Sequence, residues 1–288
     1  MSSPTPGSLS RIFVHPLKSG AAHEVSRWLL GSTGLVHDRA LMLVDPAGDF
    51  VTLRGIPRLV TVAPQPFEVD AEVVTFSALG RPELGVIEIG LESDPPERAV
   101  KCVVQIWGEW VAAELVSAAA DAWFSAVLGR PVRLVRIDSD LPRAVDETYA
   151  RPEDAVGFAD GFPLLVIGSA SLEALDRDVE AFTVTAERFR PNLVIETSVP
   201  WIEDTWRRIR IGDIELELVK PCARCVGINV EPRTGKAGRE PLRTLAKTRT
   251  RDGQVFFGHN ALHRGVGWLA VGDPMEVLEL VGDATAGS

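Results

Sequence analysis

Short apolar runs parted by Gly, Pro and Asp fill the first half of this chain, and they decide most of what it can fold into. RIFVHPL (Arg11–Leu17), ALMLVD, FVTLRG, LVTVAP, AEVVTFSA, GVIEIG and CVVQIWG (Cys102–Gly108) are too short for stable helices, and turn residues bound them as they bound strands. One segment breaks the pattern. Between Glu114 and Pro131, the residues Val116, Ala120, Trp123, Phe124, Val127 and Leu128 share one helical face, with Gly129 as a stop. A strand, VRLVRID, follows.

The second half opens with an apolar strand, FPLLVIG, and a predicted helix from Ser169 to about Val179 with Leu172, Leu175 and Val179 inward. After NLVIE comes RRIRIGDIELELV, whose Gly212-Asp213 tip and alternating flanks predict a β-hairpin. VGINV, QVFFGHN, GWLAVG and MEVLEL read as further strands. Strands and helices do not alternate regularly, which disfavours a doubly wound parallel sheet; the fold class is mixed, β-rich α+β. Residues 139–160 carry little periodicity and many acidic residues, so the domain boundary is placed near 145, dividing the chain into 7–138 and 146–283.

The formal charge of −10 removes the basic field that a nucleic-acid or anionic-membrane binder needs, so any anionic ligand requires a local cationic cluster. The amino terminus lacks the pattern of a secretory or transit segment, and no stretch reaches the roughly 18 apolar residues of a membrane span. Three cysteines fit a reducing compartment, and a cytoplasmic protein is expected.

Two of those cysteines stand as Cys222-x-x-Cys225 in VKPCARCVGINVEPRTG. Spacing alone leaves open a metal site, a disulfide, a redox couple, a single thiolate or simple packing. Zinc is disfavoured because the next histidines, His259 and His263, lie far along the chain in what reads as strand. A thioredoxin-like pair is disfavoured because no βαβ unit surrounds it. Arg224 and Lys220 place any thiolate here in a locally positive setting, where a soft metal ligand or nucleophile belongs.

The ordered series HPLKSG, GLVHDRALMLVD, GDFVTLRGIPRL, FRPNLVIE, IGDIELELVKPCARCVGINVEPRTG, PLRTLAKTR and FGHNAL resembles the MOSC-domain proteins, in particular the mitochondrial amidoxime-reducing component and its bacterial relatives, from about residue 9 to residue 281. The resemblance implies a MOSC N-terminal β-barrel domain followed by a MOSC β-barrel domain. It also implies the molybdenum cofactor, with Cys225 as the protein's ligand to the metal and Cys222 as a neighbour. Lys18, Ser19, Arg39, Arg190 and Asn192 match the family's cofactor contacts, and guanidinium groups suit a pterin phosphate. Asp160, Gly161 and Phe162 match a loop that approaches the pterin; Ala223, Arg224 and Asn260 complete the implied set.

The activity so implied is reduction of N-hydroxylated substrates (amidoximes, hydroxylamines, N-hydroxylated bases), independent of pyridoxal phosphate. No cysteine follows Cys225 and no GxGxxG joins a strand to a helix, so electrons are expected from a separate ferredoxin- or cytochrome-type protein. Neither nucleic acid nor a membrane is expected as a partner. His259 is read as a polar strand-end residue. The competing reading is a non-catalytic carrier, of the cofactor or of persulfide sulfur for metal-sulfur assembly.

Overall fold

The structure is a computed structural model that describes residues 7–92, 100–141 and 143–282, so Pro142 and residue 283, the end of the second predicted domain, lie outside it. Seven strands close a barrel: β1 (Gly7–Val14), β2 (Leu164–Gly168), β3 (Leu193–Ile195), β4 (Trp206–Ile211), β5 (Ile214–Arg224), β6 (Gln254–Arg264) and β7 (Pro274–Leu280). The ring runs β2-β3-β1-β7-β4-β5-β6 and back to β2. Only β2–β3 is parallel; each other pair is antiparallel. The predicted hairpin is β4–β5, with Ile211 opposite Ile214 and Gly212 at φ 54°.

Alternation decides what fills the barrel. Leu164 and Val166, Leu193 and Ile195, Ile209 and Ile211, and Leu216 and Leu218 point inward into one apolar cluster. The intervening Ile167 and Val194 face outward and pack with Phe189, Phe257 and Leu175, a residue of helix α2 (Ser169–Asp178 as observed). Each such buried side chain contributes about 1.5–3 kcal/mol before ordering entropy is counted.

A second body is built on the four-stranded sheet Leu41–Val44, Arg133–Ile137, Glu109–Leu115 and Val100–Ile106. Helix α1 (Ala118–Leu128), in the amino half, buries Ala120, Phe124, Val127 and Leu128 on the predicted face. Ser117 Oγ caps it by accepting from Ala120 N, and Gly129 ends it in the left-handed region. The two halves share chain: β1 comes from the amino end but completes the carboxy-half barrel, and Gly267–Ala270 pairs with Arg27–Gly31.

Two local expectations differ, and one short helix was not foreseen. VGINV is not a strand; Val226–Asn229 forms a 3-10 turn that buries Ile228 and Asn229 against neighbouring elements. FVTLRG leaves the sheet after Phe50 and turns, with the N–H groups of Gly55 and Ile56 both donating to Thr52 O. PLRTLAKTR holds a short helix, Leu242–Arg249, whose two turns carry too few apolar residues to show a period.

Candidate functional site

One cavity gathers every residue proposed from sequence: Lys18, Ser19, Arg39, Asp160, Gly161, Phe162, Arg190, Asn192, Ala223, Arg224, Cys225 and Asn260 all line it. It lies at the end of β5, against the starts of β2 and β3, and residues 52–54 of the amino-half body line it as well. Backbone bonds hold three loops together there, with Lys18 N donating to Leu41 O, Arg39 N to His15 O and Phe158 N to Arg39 O.

The lining carries a marked charge imbalance. Lys18, Arg39, Arg54, Arg188, Arg190 and Arg224 are cations, and Asp160 is the one carboxylate among the lining residues. Arg39 Nη1 donates to Asp38 Oδ2 at 2.5 Å and to Asn192 Oδ1 at 3.1 Å, and its Nη2 donates to Arg190 O at 2.9 Å. Arg190 Nη1 donates to Gly20 O, but its Nη2 is buried with no hydrogen-bond partner among the described residues. Burial, and then the Arg39 charge, push the Arg190 guanidinium down to about 9, which leaves it cationic at neutral pH. Burial also lowers Lys18, whose Nζ donates to Phe158 O and to Asp160 Oδ1; Asp160 works against that lowering.

Backbone strain concentrates here as well. Ser19 (φ 68°), Arg39 (φ 48°) and Arg190 (φ 55°) occupy the left-handed region without being glycine. For Arg190 the following proline adds to the restriction. Such positions persist only where surrounding structure over-determines them, and they cluster at functional sites.

The cysteine strand owes its shape to Pro221. Two register shifts against β6 flank that residue, which has no N–H for the ladder. Cys222, Ala223, Arg224 and Cys225 therefore all touch the cavity, which strict alternation forbids. Cys225 is exposed and Cys222 half-buried. Burial pushes the Cys222 thiol up, with Arg224 offsetting part of the rise. Arg224 itself is committed to carbonyls, donating through Nε and Nη2 to Phe257 O and through Nη1 to Phe189 O. Gly258 (φ 70°) lets β6 press on β2 beside that clamp, because an added Cβ would meet Val166 O at 2.7 Å.

Several placements separate functional surface from scaffold. Asn192 spends its side chain internally, with Oδ1 accepting from Leu165 N and Arg39 and Nδ2 donating to Phe13 O, so it fixes the loop. Asn260 lines the cavity and makes no side-chain hydrogen bond to a described residue. Phe162 packs edge-on to Tyr149, and Lys220 lies over the same Tyr149 ring instead of lining the cavity. His259 sits within β6, bonded to Asp204 away from the cavity, and His263 bonds Gly265 O. Among the described residues no three His, Cys, Asp or Glu side chains are grouped to hold a metal.

Sequence reasoning missed Arg54, Trp107 and Arg188. Arg188 donates to Ile228 O and Val230 O in the turn after Cys225, while Arg224 reaches back to the Arg188 loop, so two arginines cross-tie these segments. A second arginine in ERFRPN was the available signal. Arg54 and Trp107 arrive through tertiary contact and had none.

His15, fully buried, offers a pH test. Its Nε2 bonds Pro191 O and its Nδ1 has no partner among the described residues. Burial, then the charges of Arg39 and Arg190, hold it well below the ordinary histidine value of about 6.5. The folded imidazole stays neutral where the unfolded chain takes up a proton, so stability falls as pH drops through about 6.5. From pH 7.5 to 5.5, urea titrations of the wild type are expected to lose about 1.4 kcal/mol more than those of His15→Gln. Equal losses would move the proton linkage to another group.

Comparison with known proteins agrees with this architecture. Residues 6–131 match the MOSC N-terminal beta barrel domain and residues 153–276 the MOSC domain. The chain belongs to the family of MOSC-domain proteins that carry this N-terminal barrel domain. Mitochondrial amidoxime-reducing component 1 of Homo sapiens is 31% identical over 291 residues, covering 94% of this chain and 83% of its own length. The molybdenum cofactor sulfurase of Oryza sativa subsp. japonica is 28% identical over 87% of this chain, which spans 32% of that protein. YuaD protein from Bacillus subtilis, of known crystal structure, is 9% identical with a TM-score of 0.43 across 94% of each chain. No helix among the described residues is long and apolar enough to cross a membrane.

Proposed function

We propose that this cavity binds the molybdenum–pterin cofactor and that the chain reduces N-hydroxylated small molecules with electrons from a separate donor protein. The observation that carries this reading is the set of cations, opposed by one lining carboxylate, converging beside the exposed Cys225 thiol with Arg190 Nη2 buried and unpartnered. A buried guanidinium N–H without an acceptor is costly, and a phosphate oxygen is the acceptor such a group suits. The residues present therefore fit an anionic, sulfur-ligated group.

Cys225 would hold the metal through soft thiolate sulfur, having lost its proton on binding. Arg190, Lys18 and Ser19 would hold the anionic tail, while Arg39, tied to Asp38 and Asn192, keeps Arg190 in place. Asn260 presents both a donor and an acceptor to the ring system. When bound, the cofactor supplies the two-electron reduction chemistry. The reductase reading is tested by benzamidoxime reduction after expression in a host that makes the cofactor, with reduced viologen as donor.

Arg190→Ala separates binding from folding. Hydrogen bonds to charged groups contribute about 1.5–3 kcal/mol, so cofactor content at limiting supply is expected to fall roughly 10- to 100-fold. The cofactor-free variant should keep its unfolding free energy within about 1 kcal/mol, because the substitution also relieves repulsion with Arg39. Full occupancy in this variant would remove Arg190 from the site.

A second reading, a carrier of the cofactor or of persulfide sulfur, draws support from the sulfurase relatives together with the exposure of Cys225. Cyanolysable sulfur without molybdenum, and without amidoxime reduction, would favour it.

A further inference from the structure

We propose that Arg54, resting on the indole of Trp107, selects small molecules that carry a negative charge at the Cys225 end of the cavity. Arg54 Nη1 lies 3.9 Å from Cys225 Sγ, and its guanidinium carbon sits 4.1 Å from the centre of the Trp107 ring. Asp160 is close enough to feel the Arg54 charge, but its Oδ1 is bonded by Lys18 and Trp107, and Arg54's only hydrogen bond to a described residue is the long contact to Cys225 Sγ, which leaves the rest of its planar fork to take a carboxylate or another oxyanion. Leu53, packed with Val60 and Val230, fixes this loop against the turn that follows Cys225.

Trp107 is held in place at a conformational cost. It occupies the first position of the two-residue turn Trp107-Gly108, where both residues have positive φ (51° and 88°). Asn, Asp or Gly usually fills that position, and a bulky residue there is an outlier. The indole gains a platform from Phe50, edge-on at 4.8 Å, and a bond from Nε1 to Asp160 Oδ1. Asp160, the opposing charge at this mouth, is itself engaged by Lys18. The turn thus presents an aromatic shelf beneath a cation beside the thiol.

This inference rests on the reductase reading for the reaction and adds a substrate class to it: N-hydroxylated compounds bearing a carboxylate. Charge selection can be measured without the cofactor. Iodoacetate and iodoacetamide alkylate the same thiolate and differ in charge, so their rate ratio at Cys225 reports the field at the sulfur. Trypsin cleaves after Arg224 and puts the two cysteines on separate peptides for mass spectrometry.

In cofactor-free protein at low ionic strength, the iodoacetate-to-iodoacetamide ratio at Cys225 is expected to be roughly 3- to 10-fold above that of the same residue in urea. Arg54→Gln should remove most of the excess, Arg54→Lys should retain it, and about 0.5 M salt should suppress it in the wild type. An unchanged ratio in Arg54→Gln overturns the proposal. In loaded enzyme, Arg54→Gln should cost a carboxylate-bearing benzamidoxime at least about 3-fold more in kcat/KM than it costs the neutral parent. If the loaded protein reduces neither compound while the ratio still falls in Arg54→Gln, charge selection stands and the reductase reading falls. If it reduces both and the ratio does not move, the reverse holds.

Discussion

Cys225→Ser is expected to lower molybdenum-dependent reduction by about 100-fold or more, whereas Cys222→Ser keeps at least roughly half of it. Residues that merely support a metal ligand typically cost 10–100-fold when replaced, so loss of the ligand itself sets that range as a lower bound. A serine hydroxyl is hard and keeps its proton, where the soft metal requires thiolate sulfur. The two cysteines are unlike in their surroundings, since Cys225 is exposed at the cavity and Cys222 is half-buried with its thiol pushed up by burial. Molybdenum content and benzamidoxime reduction measured side by side decide the matter; equal loss in both variants contradicts the assignment.

Asp38→Ala carries the largest expected effect on stability. The Asp38 side chain is 3% exposed; Oδ1 accepts from His15 N, and Oδ2 accepts from Arg39, whose own side chain is 11% exposed. Removing the carboxylate leaves Arg39 and the adjacent Arg190 without that opposing charge, and breaking a buried pair in this way costs about 3–5 kcal/mol. For a chain of this size the melting temperature should fall by roughly 10 °C. Phosphate binding to the native state should recover more of that loss in the variant than it adds to the wild type. A drop under about 3 °C would mean that the arginines are compensated from elsewhere.

Much of the fold was legible because local pattern and global arrangement agree. Short apolar runs between turn residues marked β2 and β3 as strands, Gly212 marked the hairpin, and the apolar stripe around Phe124 identified the buried face of its helix. Closure of the barrel was expected from the family resemblance alone and was not legible in the local pattern. β1 joins β3 and β7 from the far end of the chain, and pairings at such separation leave no local mark. The candidate site was read through family motifs, and the structure brings those residues into one cavity. Arg54 and Trp107 escaped notice for the same reason as the barrel closure: Arg54 meets Cys225, with Trp107 beneath it, only through contacts distant in sequence. Asn192 looked like a ligand contact, yet its polar atoms serve Arg39, Leu165 and Phe13. Sequence names the residue, and only the surroundings decide whether its atoms are free.

The central claim, that the cationic cavity holds a pterin-bound metal through the Cys225 sulfur, is tested most directly by molybdenum and pterin analysis of wild type and Cys225→Ser from a cofactor-competent host. Stoichiometric molybdenum and pterin in the wild type, with molybdenum lost from the variant, is the result this account predicts. A folded wild type that retains neither, or a variant that retains both in full, would contradict it.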